Sequence, residues 1–150
     1  MAKVQFKTRE ITSYIIVHCS ATRPSQDIDV RTLRQWHKER GYLDVGYHLI
    51  IKRDGTVEEG RIISQIGAHT KGYNAVSVGV CLVGGVDENM QPESNFTEAQ
   101  KVALKEVLED LKAKYPHAQI KGHNDFAPKA CPSFKVSEYL QTGEMKTFKG

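Results

Sequence analysis

The chain has 150 residues, of which 39% are hydrophobic and 26% are charged, and its formal net charge is +3 at pH 7. A chain of this length can bury about two-thirds of its unfolded surface, so we expect one soluble domain over residues 1–150. Lys and Arg are spread along the sequence without a dense cluster, which argues against direct nucleic-acid binding. No run approaches the roughly 20 apolar residues of a membrane span, and the N-terminus lacks a secretory signal, so we expect a cytoplasmic protein with no membrane contact.

The first third of the sequence predicts a strand followed by a helix. A branched apolar run over residues 14–17 leads into the polar stretch 18–25, as at the end of a buried strand. Asp27 or Asp29 can then cap a helix whose apolar residues recur every three positions and which should end near Gly41. We expect this helix to cover one face of a sheet.

Three patterns predict the middle of the fold. The dipeptide Asp54-Gly55 supplies the positive φ angles of a tight hairpin between two strand-like runs. The valine-rich run 76–83 suits a central strand. Thr97 and Gln100 form a capping box ahead of a long amphipathic helix.

Two shorter elements are predicted near the end of the chain. A last strand is expected around residues 119–121, and a short helix near residues 136–140. Between them, proline and alanine residues indicate a loop. No linker or internal repeat separates these elements, which again favours a single domain.

Three residues could together bind a metal ion. His18 ends the first predicted strand, His123 follows the last one, and Cys131 lies on the loop that comes next. A catalytic zinc site takes three protein ligands of these types and leaves a fourth position open. Ligands from two strand ends and one loop can converge, but their spacing alone does not select these three.

Other histidines compete for this role. His37 lies in the first helix and His117 follows the long one, so we expect both to be solvated or to interact with a helix C-terminus. His48 alternates with Tyr47, so only one of these two side chains can face a common site.

The remaining cysteines favour core packing. Cys19 should point to the opposite sheet face from His18, and Cys81 lies in an apolar strand. The sequence also lacks H-E-x-x-H, which disfavours a thermolysin-like protease. A metal site at the first trio is therefore a hypothesis at this point.

Four sequence blocks carry a resemblance to a known family. They occur in order between about residue 4 and residue 134, and they are HCSAT from His18, GYHLIIKRDGTVEEGR from Gly46, GAHTKGYNAVSVGVCLVGG from Gly67 and APKACPSF from Ala127. Together they resemble the N-acetylmuramoyl-L-alanine amidases over nearly the whole chain.

The resemblance implies a fold, a cofactor and a reaction. The fold is α/β, a central mixed β-sheet flanked by helices that is shared with peptidoglycan-recognition proteins. Position by position, His18, His123 and Cys131 match the ligands of one Zn²⁺ per chain, while Tyr47 and Lys129 match residues needed for catalysis. The implied reaction is hydrolysis of the amide bond between N-acetylmuramic acid and L-alanine in bacterial peptidoglycan.

Each matched residue can be given a chemical role. Lys129, two residues before Cys131, can stabilise the oxyanion that forms as the carbonyl becomes tetrahedral. A tyrosine with an ordinary pKa of about 10 is a poor base at neutral pH, so Tyr47 is better suited to donating a hydrogen bond. His69 is a candidate for substrate binding, with a structural hydrogen bond as the competing interpretation. The general base is left open.

The resemblance also implies other partners. Members that have lost a metal ligand only bind peptidoglycan, although the intact trio argues against that here. Phage members also bind their own single-subunit RNA polymerase and repress transcription, and by this analogy residues 1–8 form a flexible tail that contacts it. An edge strand is the alternative for this segment. We expect a monomer in the host cytoplasm that reaches peptidoglycan on lysis.

Overall fold

A computed structural model describes residues 6–150 and shows strands alternating with helices. The elements in chain order are β1 (Tyr14–Cys19), α1 (Val30–Glu39), β2 (Leu49–Ile51), β3 (Val57–Glu59), β4 (Ser77–Leu82), α2 (Glu98–Lys114), β5 (Gln119–Gly122) and α3 (Val136–Thr142). Short 3₁₀ turns cover Asn74–Val76 and His123–Asp125.

The five strands form one mixed sheet in the order β3-β2-β4-β1-β5. β1 is parallel to both of its neighbours, β4 and β5, and β2 is parallel to β4. β3 runs antiparallel to β2 at the sheet edge. Parallel strands bring their carboxyl ends together at one end of the sheet, and ligands bind at that end in open α/β folds. The predicted mixed sheet is confirmed.

Helices cover both faces of this sheet. On one face, Val17 and Leu82 pack in a cluster with Leu104 of α2. On the other face, Cys81 packs in a second cluster with Leu33 of α1. Each fully buried aliphatic side chain contributes about 1.5–3 kcal/mol relative to exposure, so these two layers fix the sheet between the helices. The predicted packing of α1 on one face is confirmed.

The helix starts follow the predicted capping residues. Asp29 accepts a hydrogen bond from the N–H of Thr32 and begins α1. Thr97 and Gln100 form the reciprocal capping box that begins α2. Gly41, with φ +92°, follows the end of α1, as expected of a helix terminus. Among residues 6–150, no helix is both long and apolar enough to cross a bilayer.

Strand boundaries differ slightly from the predicted ones. Gly55, with φ +88°, lies in the predicted hairpin between β2 and β3, but the expected positive φ at Asp54 is wrong, since Gly55 alone of the two has one. β1, however, continues through Cys19, because His18 and Cys19 pair with Cys81 and Leu82 of β4. Backbone pairing thus extends the strand beyond its apolar run.

The predicted tail over residues 1–8 is described only in part, since residues 1–5 lie outside the described residues. Thr8 forms an antiparallel bridge with Gln65. The Ile66 N–H donates to the carbonyl of Lys7 at 2.8 Å. This part of the segment therefore lies against the loop that follows β3.

Candidate metal centre and active-site cleft

His18 and His123 meet at the edge of the sheet where β1 and β5 end. Val17 is paired with Gly122, the last residue of β5, and each of these two residues is followed in the chain by a histidine. The centroids of the two imidazole rings are 4.6 Å apart. His18 is buried, whereas His123 is half-buried.

Cys131 reaches the histidines because its loop folds back over the end of β5. The side-chain amide of Asn124 donates to the carbonyl oxygens of Ala130 and Phe134, at 3.2 and 3.0 Å. At the end of β1, the Cys19 N–H donates to Cys131 Sγ at 3.2 Å. These bonds hold the thiol of the loop against β1.

The three side chains fit a zinc ion in number, type and spacing. Their donor atoms all lie within 4.8 Å of one another, and His18 Nδ1 is 4.0 Å from Cys131 Sγ. With zinc bonds of about 2.0–2.3 Å, the donors of a tetrahedral site are about 3.5 Å apart, so a small contraction suffices. Two imidazoles and one thiolate would hold the ion and leave one coordination position for chemistry.

Burial sets the protonation of these groups. It lowers the pKa of His18 well below its ordinary value, and it also lowers the pKa of His123, beside the Lys129 ammonium. The pKa of the Cys131 thiol is raised, because the thiol contacts that of Cys19 and is buried. Neutral imidazoles are ready to bind a metal, whereas the thiol must first lose its proton.

His69 lies beside His18, at its second nitrogen. His69 Nδ1 is 2.8 Å from His18 Nε2, and Thr70 Oγ1 is 3.2 Å from the same atom. Ser77 Oγ is 3.4 Å from His69 Nε2. The His69 ring also lines the cleft described below. Both the predicted substrate contact and the structural hydrogen bond therefore have a geometric basis.

Tyr47 lies next to His18, just before β2. The ring centroids of the two residues are 5.1 Å apart, and the tyrosine ring also packs 5.4 Å from that of His37. Burial, together with the neighbouring thiol of Cys81, raises the pKa of Tyr47 well above its ordinary value. The phenol therefore stays protonated at neutral pH and can serve as a hydrogen-bond donor.

A cleft of about 690 Å³ opens beside the potential ligands. Tyr47 and His123 line it together with three cations, Arg40, Lys71 and Lys129, and none of the described lining residues is acidic. Within residues 6–150, none of these cations forms an ion pair. A cleft lined by one sign of charge attracts ligands of the opposite sign.

The expectation that His37 is solvated or interacts with the helix terminus is wrong. The residue is buried, its Nδ1 accepts a hydrogen bond from the Gly46 N–H at 2.8 Å, and burial lowers its pKa to about 4. A neutral ring that accepts a hydrogen bond cannot act as a cation at the helix end. The position of His37 four residues after Leu33, on the buried helix face, is the sequence signal for this.

The other histidines and cysteines considered as metal ligands lie where the sequence predicts. His117 is exposed and Cys81 is fully buried. His48 is buried, and its Nδ1 accepts from the Gly79 N–H at 3.0 Å. Cys19 packs in the core on the α2 face, although its backbone N–H contacts the metal-site thiol.

Residues 7–134 match the family model described as N-acetylmuramoyl-L-alanine amidase. This match spans most of the chain, including every residue of the site, and the chain belongs to this family. The family identified from the sequence blocks is thereby confirmed.

Named relatives agree with this family. The endolysin of Enterobacteria phage K11 is 58% identical over 147 residues, which cover 98% of this chain and 97% of that protein. The endolysin of Escherichia phage T7 is 56% identical with the same coverage. The solved structure of Drosophila PGRP-LB has a TM-score of 0.75 at 24% identity, covering 96% of this chain and 89% of that chain. The fold is thus shared with a PGRP, as expected.

Proposed function

We propose that the chain is a zinc-dependent N-acetylmuramoyl-L-alanine amidase, which hydrolyses the amide bond between N-acetylmuramic acid and L-alanine in bacterial peptidoglycan. The observation that carries the proposal is the convergence of His18, His123 and Cys131 next to a cationic cleft that His123 itself lines. When bound there, zinc supplies a Lewis acid, which activates water and polarises a carbonyl group at neutral pH.

Two residues of the cleft can stabilise the charge that develops on the substrate. The Lys129 ammonium is exposed at the rim and lies close enough to His123 to lower its pKa. It can stabilise the carbonyl oxygen as that atom becomes negative. The phenol of Tyr47, protonated because of its raised pKa, can donate a hydrogen bond to the same region.

The cleft also suits the substrate class. Peptidoglycan stem peptides carry carboxylates, and Arg40, Lys71 and Lys129 offer three unpaired cations to them. Charge-assisted hydrogen bonds from such groups are roughly twice as strong as neutral ones. The substrate would therefore be drawn in by its peptide and cut at the end of that peptide nearest the sugar.

The activity is tested by incubating purified cell walls with the zinc-loaded protein. New amino groups of L-alanine should appear without new reducing sugar ends, and removal of the metal with a chelator should abolish the reaction until zinc is restored. His123→Gln should be inactive, whereas His117→Gln, a change at an exposed histidine, should be fully active. New reducing ends without amines would refute amide cleavage. Binding to walls without any cleavage would instead support a protein that only recognises peptidoglycan.

We further propose that the phage RNA polymerase binds at the N-terminal segment, in a groove that shares no lining residue with the cleft. A shallow groove there is lined by Lys7, Ile11, Ile66 and Val76, and Ile11 is 64% exposed. Exposed apolar residues beside a cation suit a protein partner.

Capture of the polymerase by the immobilised chain tests this proposal, and it should be lost with Ile11→Glu or on deletion of residues 2–6. The matched change Val102→Glu, at a 59% exposed position on α2, should leave it intact. Equal capture by all variants would exclude this surface.

A further inference from the structure

The two nitrogens of His18 face different partners. Nδ1 is 4.0 Å from the sulfur of Cys131, whereas Nε2 is 2.8 Å from Nδ1 of His69. If Nδ1 offers its lone pair to the proposed metal, a neutral His18 ring must carry its proton on Nε2. His69 Nδ1, at 2.8 Å, is nearer to that proton than Thr70 Oγ1 at 3.2 Å, so we assign it as the acceptor, and the proton of the neutral His69 ring is then on Nε2.

The next contact agrees with this direction. His69 Nε2 is 3.4 Å from Ser77 Oγ, and the serine hydroxyl donates to the carbonyl of Tyr73 at 2.7 Å. Because the serine hydrogen is used in that bond, the serine oxygen is left to accept from His69. The hydrogen bonds then all run in one direction: His18 donates to His69, His69 donates to Ser77, and Ser77 donates to the carbonyl of Tyr73.

The backbone around His69 fixes the place of its ring. A Cβ added at Gly79 would come within 2.7 Å of ring atoms of His69, and one at Gly67 would come equally close. His48 backs the same ring with a centroid separation of 5.8 Å. The ring thus occupies a slot that only glycine leaves open, which holds its Nδ1 towards His18.

We propose that His69 is a positioning residue for His18: by accepting the Nε2–H bond, it fixes the tautomer and orientation that aim Nδ1 at the metal. This inference rests on the proposed zinc site. Histidines that bind metals commonly donate their other N–H to such an acceptor, and loss of the acceptor costs about 10–100-fold in metal affinity. The role differs from substrate binding, because it acts on the metal site before any substrate is present.

Zinc affinity of the full chain, measured by competition with a chromophoric chelator, tests the proposal. His69→Leu should weaken zinc binding about 10–100-fold. His69→Asn should stay within a few-fold of the wild type, since its amide oxygen can replace Nδ1 as the acceptor. Gly79→Ala, which leaves His69 in place but pushes its ring, should resemble the leucine variant. In the zinc-bound wild type, proton NMR should show a slowly exchanging His18 Nε2–H that is absent from His69→Leu.

The outcomes separate this inference from the proposed function. A wild-type chain that fails to bind zinc would overturn both. If wild type and His69→Leu bind zinc equally, the positioning role is wrong while the metal site stands. If His69→Leu keeps its zinc and only raises KM for peptidoglycan, His69 contacts substrate instead. Circular dichroism of the zinc-free variants establishes that each is folded, and should the leucine variant unfold, the asparagine and Gly79→Ala variants decide the question.

Discussion

The backbone N–H of Cys19 donates to the sulfur of Cys131 at 3.2 Å, between the end of β1 and the loop that precedes α3. An N–H that points at sulfur stabilises a thiolate more than a thiol, because hydrogen bonds to ionised acceptors are the stronger ones. In the metal-free protein, however, the contact with the Cys19 side chain, followed by burial, raises the pKa of Cys131. The N–H contact would thus stabilise a thiolate, although the sulfur is a protonated thiol in the metal-free protein.

Zinc binding should therefore release one proton near neutral pH. The imidazoles of His18 and His123 have lowered pKa values and are already neutral there, so the proton comes from Cys131. Zinc affinity should rise about tenfold per pH unit between pH 7 and 8, because one proton is released for each ion that binds. Isothermal titration in buffers of different ionisation enthalpy measures the released proton directly.

The control for this prediction is Cys131→Asp. An aspartate with an ordinary pKa of about 3.9 is ionised at neutral pH, so it can bind zinc without releasing a proton. Its pH dependence should be flat over the same range. A steep slope in this variant, or a flat one in the wild type, would show that the thiol is not the source of the proton.

Replacing Tyr47 by Phe should lower kcat while leaving zinc content unchanged. The ring keeps its contacts with His18 and His37, so the fold is retained and only the donor is lost. Loss of one such donor costs about 10²–10³ in kcat. Because the pKa of Tyr47 is raised, no loss of activity below about pH 10 should be due to its ionisation. An alkaline limb near neutrality that disappears in Tyr47→Phe would contradict this assignment.

Replacing Arg40 and Lys71 by Gln should raise KM more than it lowers kcat. Both cations line the cleft without an ion pair among the described residues, so they would act on the proposed anionic substrate before the reaction begins. Salt should also raise KM less in the double variant than in the wild type. The variant lacks the two cations whose attraction for the substrate is screened by salt. Lys105→Gln, on α2 and outside the cleft, is the matched control and should behave as the wild type. Unchanged KM in the double variant would exclude a role in capture.

Acid should destabilise the fold through two buried histidines. His37 and His48 have folded-state pKa values of about 4, below the unfolded value of about 6.5. The unfolded chain therefore binds more protons between these values, so stability is complete above about pH 6.5 and falls as pH drops towards 4. Each residue contributes at most about 1.4 kcal/mol per pH unit.

The contribution of His37 can be isolated with His37→Asn, whose amide oxygen can still accept from the Gly46 N–H. Urea midpoints at pH 7 and pH 5, both in chelator, should differ less in this variant than in the wild type. Equal pH sensitivity of the two proteins would show that His37 does not titrate on unfolding.

The capping residues and the hairpin glycine could be predicted because they act locally. Asp29 and Thr97 accept hydrogen bonds from backbone N–H groups three residues later, and Gly55 supplies the positive φ of its own turn. Their effects are therefore visible in the sequence itself. The meeting of His18 with His123 could not be derived in this way. It depends on the parallel pairing of β1 with β5, a register between segments far apart in the chain.

The role of His69 shows a second limit of sequence patterns. Its loop position suggested contact with substrate, and the bond to His18 Nε2 depends on a slot that Gly67 and Gly79 leave open. Neither glycine lies in a turn that a pattern would single out for this purpose. Close approach between side chains and distant backbone is a property of the packed fold.

His18 and Cys131 are 113 positions apart, on the first strand and the last loop. A zinc ion shared between them would close most of the polypeptide into one ring, much as a cross-link does. β1 could then separate from that loop only after the ion had dissociated. Metal occupancy would therefore set how long the folded chain resists proteolysis.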